Sequence, residues 1–353
     1  MRRSLRLALV AAVSTLTLAA AAPLSAAPPG GSYTVTPLVS DVPGAATLTD
    51  PHLVNAWGLT RGPTTPWWVA DNGTDLSTLY ISNSNNPISI NPLVVGVDGG
   101  PTGAVFAGIA GNFPVSGGPA AFIFASEDGM IRAWHGGLAA ALVTAHGGTD
   151  AVYKGLAIAQ TDTGPMLYAT DFHNARVDVF NGAWQNVTPA GAFADPMLSD
   201  HYGPFGIQVI GNRVFVSYAK QDADAEDDVA GQGLGFVDVY DLSGNLLTRV
   251  AQHGQLNSPW GLALAPASFG RFAGDLLVGN FGDGQINAYE ETAAGFEHRG
   301  TLRDANGGKL VIDGLWALQF GNAGSNGNPD TLFFTAGPDG ESHGLFGTIT
   351  PAG

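Results

Sequence analysis

The sequence predicts an all-β fold: a six-bladed β-propeller of four-stranded blades, closed by an N-terminal strand that pairs into the last blade. Three observations predict it. Six times a short apolar run around one small residue (Gly58, Gly103, Gly155, Gly206, Gly261, Ala317) is followed, after a turn, by a second apolar run ending in polar residues. Those small residues recur every roughly 45–56 positions, the length of one blade. Runs such as Val177-Asp178-Val179-Phe180 alternate polar and apolar with period two, as half-buried strands do, and no stretch beyond the N-terminal segment has helical periodicity.

Taken in order, the chain opens with a basic start (Arg2, Arg3, Arg6), an apolar stretch over 5–22 and the small residues Ser25-Ala26-Ala27. This is the pattern of a secretory signal cleaved near Ala27. It leaves residues 28–353 as a single domain, secreted to the periplasm or the extracellular space. Residues 32–39 precede the first repeat and have no partner nearby. They are expected to complete blade six, whose own strands at 315–319, 331–335 and 345–350 fall one short, so that no edge stays open. Blade five reads most clearly, with strands at 260–264, 275–278, 285–289 and 296–302 separated by Gly, Pro, Asn and Asp.

Composition narrows the function. Acidic residues number 30 against 14 basic ones, a net charge of −16 that becomes −19 once the three leader arginines are removed. Nucleic acid, which needs clustered Lys and Arg, is excluded as a partner. Neutral ligands, cationic ligands and divalent cations are favoured. No cysteine is present, so neither a disulfide nor a lipid-modified N-terminus can form. Past the leader no apolar run reaches the length of a membrane span.

Tyr168-Ala169-Thr170-Asp171-Phe172-His173-Asn174-Ala175-Arg176-Val177 and Pro259-Trp260-Gly261-Leu262-Ala263 resemble the repeat of NHL-type six-bladed propellers. The chain also resembles a group of uncharacterised secreted bacterial propeller proteins of that superfamily. The matching features are Asn55-Ala56-Trp57-Gly58-Leu59, the 279–284 turn and the 334–347 segment. The resemblance implies the architecture; lactonases, lyases and interaction scaffolds all use it.

In such a ring, loops joining second to third strands share a face with loops leading into inner strands. That face is expected to gather the ligand-binding residues His52, Asn55, Asp71, Asn72, Lys154, His201, Tyr202, Asp283, Asp313 and Glu341. The competing role for Asp71, Asp171 and Asp283 is turn capping. Histidine is unusual in turns, which makes His173 and His343 the candidate proton carriers. Two carboxylate sets are candidate sites for a divalent cation such as calcium. Glu127, Asp171, Asn280 and Asp339 form the channel set, and Asp222, Asp224 and Glu226 lie in an extended acidic flap. The first expectation is therefore a small molecule, glycan or protein bound at a polar mouth without catalysis. The second is a metal-dependent lactonase or esterase, and the third an interaction scaffold, the last favoured if Trp67 or Trp184 faces the surface. Sharper catalytic signatures, such as a Gly-x-Ser-x-Gly elbow or His-Glu-x-x-His, are missing from the sequence.

Overall fold

The computed structural model describes residues 31–83, 86–108 and 112–352; the expected signal peptide lies outside them. Among the described residues there are strands and two short 3-10 turns but no α-helix, and so none long and apolar enough to cross a membrane. The strands form six radial sheets in chain order. Blade one runs Ala56–Thr60, Trp67–Asp71, Leu76–Asn83 and Asn86–Gly96. The inner strands of the next five blades are Pro101–Phe106, Tyr153–Thr161, Tyr202–Ile210, Pro259–Leu264 and Leu315–Phe320. Beside Leu345–Pro351, the last strand of the chain, lies Tyr33–Ser40, antiparallel, with Tyr33 opposite Pro351 and Ser40 opposite Leu345.

The blades depart from uniformity in two places. Blade three has three strands, and its fourth is reduced to a bridge between Phe180 and Asn186. Blade six gains a short parallel piece, Leu48–Thr49, outside Tyr33–Ser40. The face opposite the polar loops is also less plain than its Gly, Pro and Ala content suggests. It carries a small hairpin pairing Pro114–Val115 with Gly118–Pro119, and a 3-10 turn at Gly270–Phe272.

Each blade buries both of its faces. Consecutive residues of one strand therefore enter different cores: Trp67 packs between blades six and one, Trp68 between blades one and two. Val214 and Val216 pack toward blade three while Phe215 packs toward blade five. Six such inter-blade cores and one axial aromatic cluster make up the interior. Burial on both faces explains why second strands read as unbroken apolar runs.

The small residue at the centre of each repeat has a spatial cause. A Cβ on Gly58 would lie 2.2 Å from the Thr102 carbonyl oxygen of blade two, and on Gly103 2.3 Å from the Leu156 nitrogen of blade three. On Gly206 it would lie 2.0 Å from the Trp260 carbonyl oxygen. At these seams the inner strands of successive blades approach backbone to backbone, which only glycine permits; in blade six Ala317 takes the place of the glycine. Hydroxyls lock the same seam: Thr102 donates to the Tyr153 carbonyl at 2.8 Å, Thr170 to that of Phe205 at 2.9 Å, and Thr335 to that of Trp57 at 2.5 Å. The last of these joins blade six to blade one.

Candidate functional site

Lys154 sits at the polar end of its inner strand, and its side chain is only 2% exposed. Its Nζ donates to Glu127 Oε1 at 2.5 Å and to Asp227 Oδ1 at 2.9 Å, and lies 5.4 Å from the centre of the Trp57 ring. Glu127 follows the second strand of blade two (Phe122–Ser126), and Asp227 comes from the acidic flap of blade four. Glu127 Oε2 accepts from Asn72 at 2.9 Å. Asn55 donates to Asn72 Oδ1 at 3.1 Å and to Glu341 Oε2 at 2.6 Å, while its own Oδ1 accepts from Trp316 Nε1 at 2.9 Å. Trp260 Nε1 closes the group by donating to the Lys154 carbonyl at 2.9 Å. One hydrogen-bonded network thus takes a residue from every blade.

Aromatic rings pack against it. Trp57 stacks on Trp316 at 3.7 Å and 14°, and Trp316 on Phe281 at 3.9 Å and 15°. Trp57 and Trp316 are buried, whereas Trp260 and Phe281 keep part of their surface in solvent.

Burial opposes the charge on Lys154, but Glu127 and Asp227 outweigh it and raise its pKa above the ordinary lysine value. The residue is an ammonium ion at any ordinary pH. Burial raises the Glu341 carboxyl; Glu127 and Asp227 add to the rise, and Asn55 and Lys154 oppose it. Burial likewise raises Asp228, with Ser258 and Lys154 opposing the rise. The mouth therefore holds one fixed cation inside an excess of carboxylate.

The network unites five of the expected residues: Asn55, Asn72, Lys154, Glu341 and Glu127. The others go elsewhere. Asp71 is fully buried in blade one, and burial pushes its carboxyl well above the usual range. Tyr202 is core, edge-on to Phe236. Asp283 caps its turn, accepting from Asn280 Nδ2 at 3.0 Å and the Gln285 backbone at 3.1 Å. His52 is exposed and touches Asp50; His201 is exposed in a left-handed turn. Asp313 receives the Asp339 backbone N–H.

The carboxylate sets do not converge either: among the described residues no three His, Asp or Glu side chains are grouped to hold a metal ion. Asp171 is tied to Asn174 and Arg176, Asn280 donates to the Gln255 carbonyl, and Asp339 is exposed. In the flap, Asp222 accepts the Glu226 N–H, while Asp224 and Glu226 face solvent. His343 bonds Asp41 at 2.8 Å, which raises its pKa. The Nδ1 of His173 is buried without a partner. Trp67 is buried, and Trp184 is half-buried with Nε1 donating to the Pro114 carbonyl, so neither supplies the surface a scaffold was expected to show.

Sequence reading missed Asp227, Trp57, Trp260, Trp316 and Phe281 as site residues. A signal existed for the tryptophans: in three repeats Trp immediately precedes the small residue (Trp57-Gly58, Trp260-Gly261, Trp316-Ala317), which places all three at one level of the ring. Nothing in the flap distinguishes Asp227 from its acidic neighbours.

No family model matches the chain. It is 31% identical to "Uncharacterized protein R648" of Acanthamoeba polyphaga mimivirus, over 88% of this chain and 78% of that protein. It is 30% identical to "Uncharacterized protein L690" of the same virus, over 90% and 86%. The chain belongs to the family of these two proteins. Its fold is shared with the soluble aldose sugar dehydrogenase of Escherichia coli, at a TM-score of 0.56 and 10% identity over 91% of this chain and 100% of that one. It is shared too with virginiamycin B lyase of Staphylococcus aureus, at 0.50 and 11% over 90% and 99%.

Proposed function

We propose that the protein is a binding propeller that takes a neutral, hydroxyl-rich ligand of glycan type at the Lys154 mouth and performs no reaction on it. The observation that carries this reading is the six-blade network itself. Its amides (Asn55, Asn72) and carboxylates (Glu127, Asp227, Glu341) suit hydroxyl groups, and the half-exposed Phe281 offers a ring face to a sugar's C–H surface. The carboxylate excess disfavours anions. Lys154, held charged between two carboxylates, is a poor base or nucleophile, and it supplies at the mouth the positive charge a calcium ion would bring. Export with cleavage near Ala27, and kinship with secreted bacterial propellers, belong to the same proposal; they rest on the leader pattern and the 334–347 segment.

Titration calorimetry with neutral mono- and oligosaccharides, glucosamine and gluconate tests it, with melts in calcium and in chelator alongside. Neutral sugars should bind, gluconate should not, and Glu127→Gln should weaken binding by about tenfold or more. Equal binding of gluconate, turnover of a sugar lactone, or a calcium-dependent rise in melting temperature each overturns the reading.

A further inference from the structure

The axial channel has a second end. On the face away from Lys154, the inner strands of blades one to four and blade six leave a concave space of about 170 Å³, lined by Leu59, Val105, Phe106, Leu156, Ile158 and Val209, with Arg61, Gln208 and Gln319 among them. A smaller space of about 30 Å³ continues inward and ends at Trp260. Since Trp260 stands in the aromatic layer with Trp57 and Trp316, that layer separates this end from the polar mouth.

Three features of the wall are unusual for a protein this acidic. Arg61 is half-buried, and among the described residues no carboxylate lies within ion-pair distance of it. Its Nε and one Nη2 direction are held by the Phe320 carbonyl at 3.0 and 2.7 Å, and Nη2 also reaches the Gly321 carbonyl at 3.3 Å. Both N–H groups of Nη1 remain without a hydrogen-bond partner among the described residues; the guanidinium lies 5.5 Å from the centre of the Trp67 ring, and neither that ring nor the two carbonyls neutralises its charge. Gln319, next in sequence to Phe320, has an unpartnered Oε1, and no side-chain bond fixes its amide. A half-turn of that amide presents either a donor or an acceptor to the space. Gln208 lines both parts of the space beside it.

We infer that this end of the channel is a second binding site, for a short aliphatic hydroxycarboxylate. The carboxylate pairs with the free edge of Arg61, the aliphatic body lies against Leu59, Val105, Leu156 and Val209, and the hydroxyl meets the amides of Gln319 and Gln208. A half-buried cation flanked by apolar side chains binds an anion more strongly than a fully exposed one does, because fewer waters compete for it. The assignment is independent of the sugar reading, since the residues and the face of the ring both differ.

Calorimetry and melting with 3-hydroxybutyrate, butyrate and 1,3-butanediol test it. The expected order is 3-hydroxybutyrate above butyrate, with butanediol not binding. Arg61→Gln should cut affinity for both acids by about tenfold or more. That residue also bridges blades one and six, so two further variants guard against simple loss of fold. Gln319→Leu should remove the advantage of 3-hydroxybutyrate over butyrate while leaving butyrate binding intact. Gln208→Phe should fill the space and abolish both, with the melting temperature of the unliganded protein unchanged. If butanediol binds as well as the acids, if none of the three binds, or if Gln208→Phe leaves acid binding intact, the site as assigned does not exist.

Discussion

Asp71 shows how residue chemistry and position separate. It has the strand-end place of a turn cap and the residue type of a ligand, yet it is fully buried. Burial raises its pKa well above the ordinary carboxylate range; hydrogen bonds from Thr78 oppose the rise and Asp50 adds to it. Protonation therefore stabilises the fold below the unfolded-state pKa, and that stability is lost as pH rises through the folded-state value. Asp71→Asn should accordingly gain on the wild type as pH increases from 4 to 8, by about 1–3 kcal/mol at the upper end. Thermal melts of both proteins across that range measure it; parallel curves would show that Asp71 is ionised and solvated after all. Asp171 and Asp283 are the contrasting pair, since the same residue type there caps turns, as local chain chemistry favours.

At the scale of the element, the inner strand does most of the positioning. Its glycine sets the distance to the next blade, and the residues just before it (Asn55 with Trp57, Lys154, Trp260, Trp316) occupy one level of the ring. Gly206→Ala places a methyl group at the Trp260 carbonyl, the nearest approach among the seams, and should cost about 1–3 kcal/mol through forced separation of blades four and five. Denaturant unfolding checks this, with Gly164→Ala as a control that changes conformational strain but meets no neighbour. A loss at position 206 no larger than the control's means the seam is looser than described. The same element logic was legible in the sequence as a repeated small residue. The reduced fourth strand of blade three was not, because residues 182–201 carry turn-forming Asn, Pro and Gly that suit a strand edge and a loop equally.

For the molecule as a whole, the end strands decide cohesion. Tyr33–Ser40 pairs along its length with Leu345–Pro351, so the first and last described segments share a sheet. Tyr33 also fills the core between blades five and six, stacking near Phe272 and donating to the Phe269 carbonyl at 3.1 Å. Removing residues up to 40 uncovers a sheet edge and empties part of that core, and should lower the melting temperature by roughly 10 °C or more. Calorimetric melting of the shortened protein tests it, and an unchanged transition would mean the last blade stands without this strand.

The sequence by itself determined the blade count, the strand order and the face on which polar loops collect, because period-two burial and small-residue spacing are local properties written into consecutive positions. It also named Asn55, Asn72, Lys154 and Glu341 as ligand-binding residues and Glu127 as a metal ligand on the same face. Only the tertiary structure decided which of many similar acids and amides meet. Lys154 chooses Glu127 and Asp227 over the other carboxylates of the mouth through blade rotation and flap conformation, and Arg61 stands without an acid for the same reason. Distances across a ring depend on the summed geometry of all six blades, which no single stretch of chain encodes.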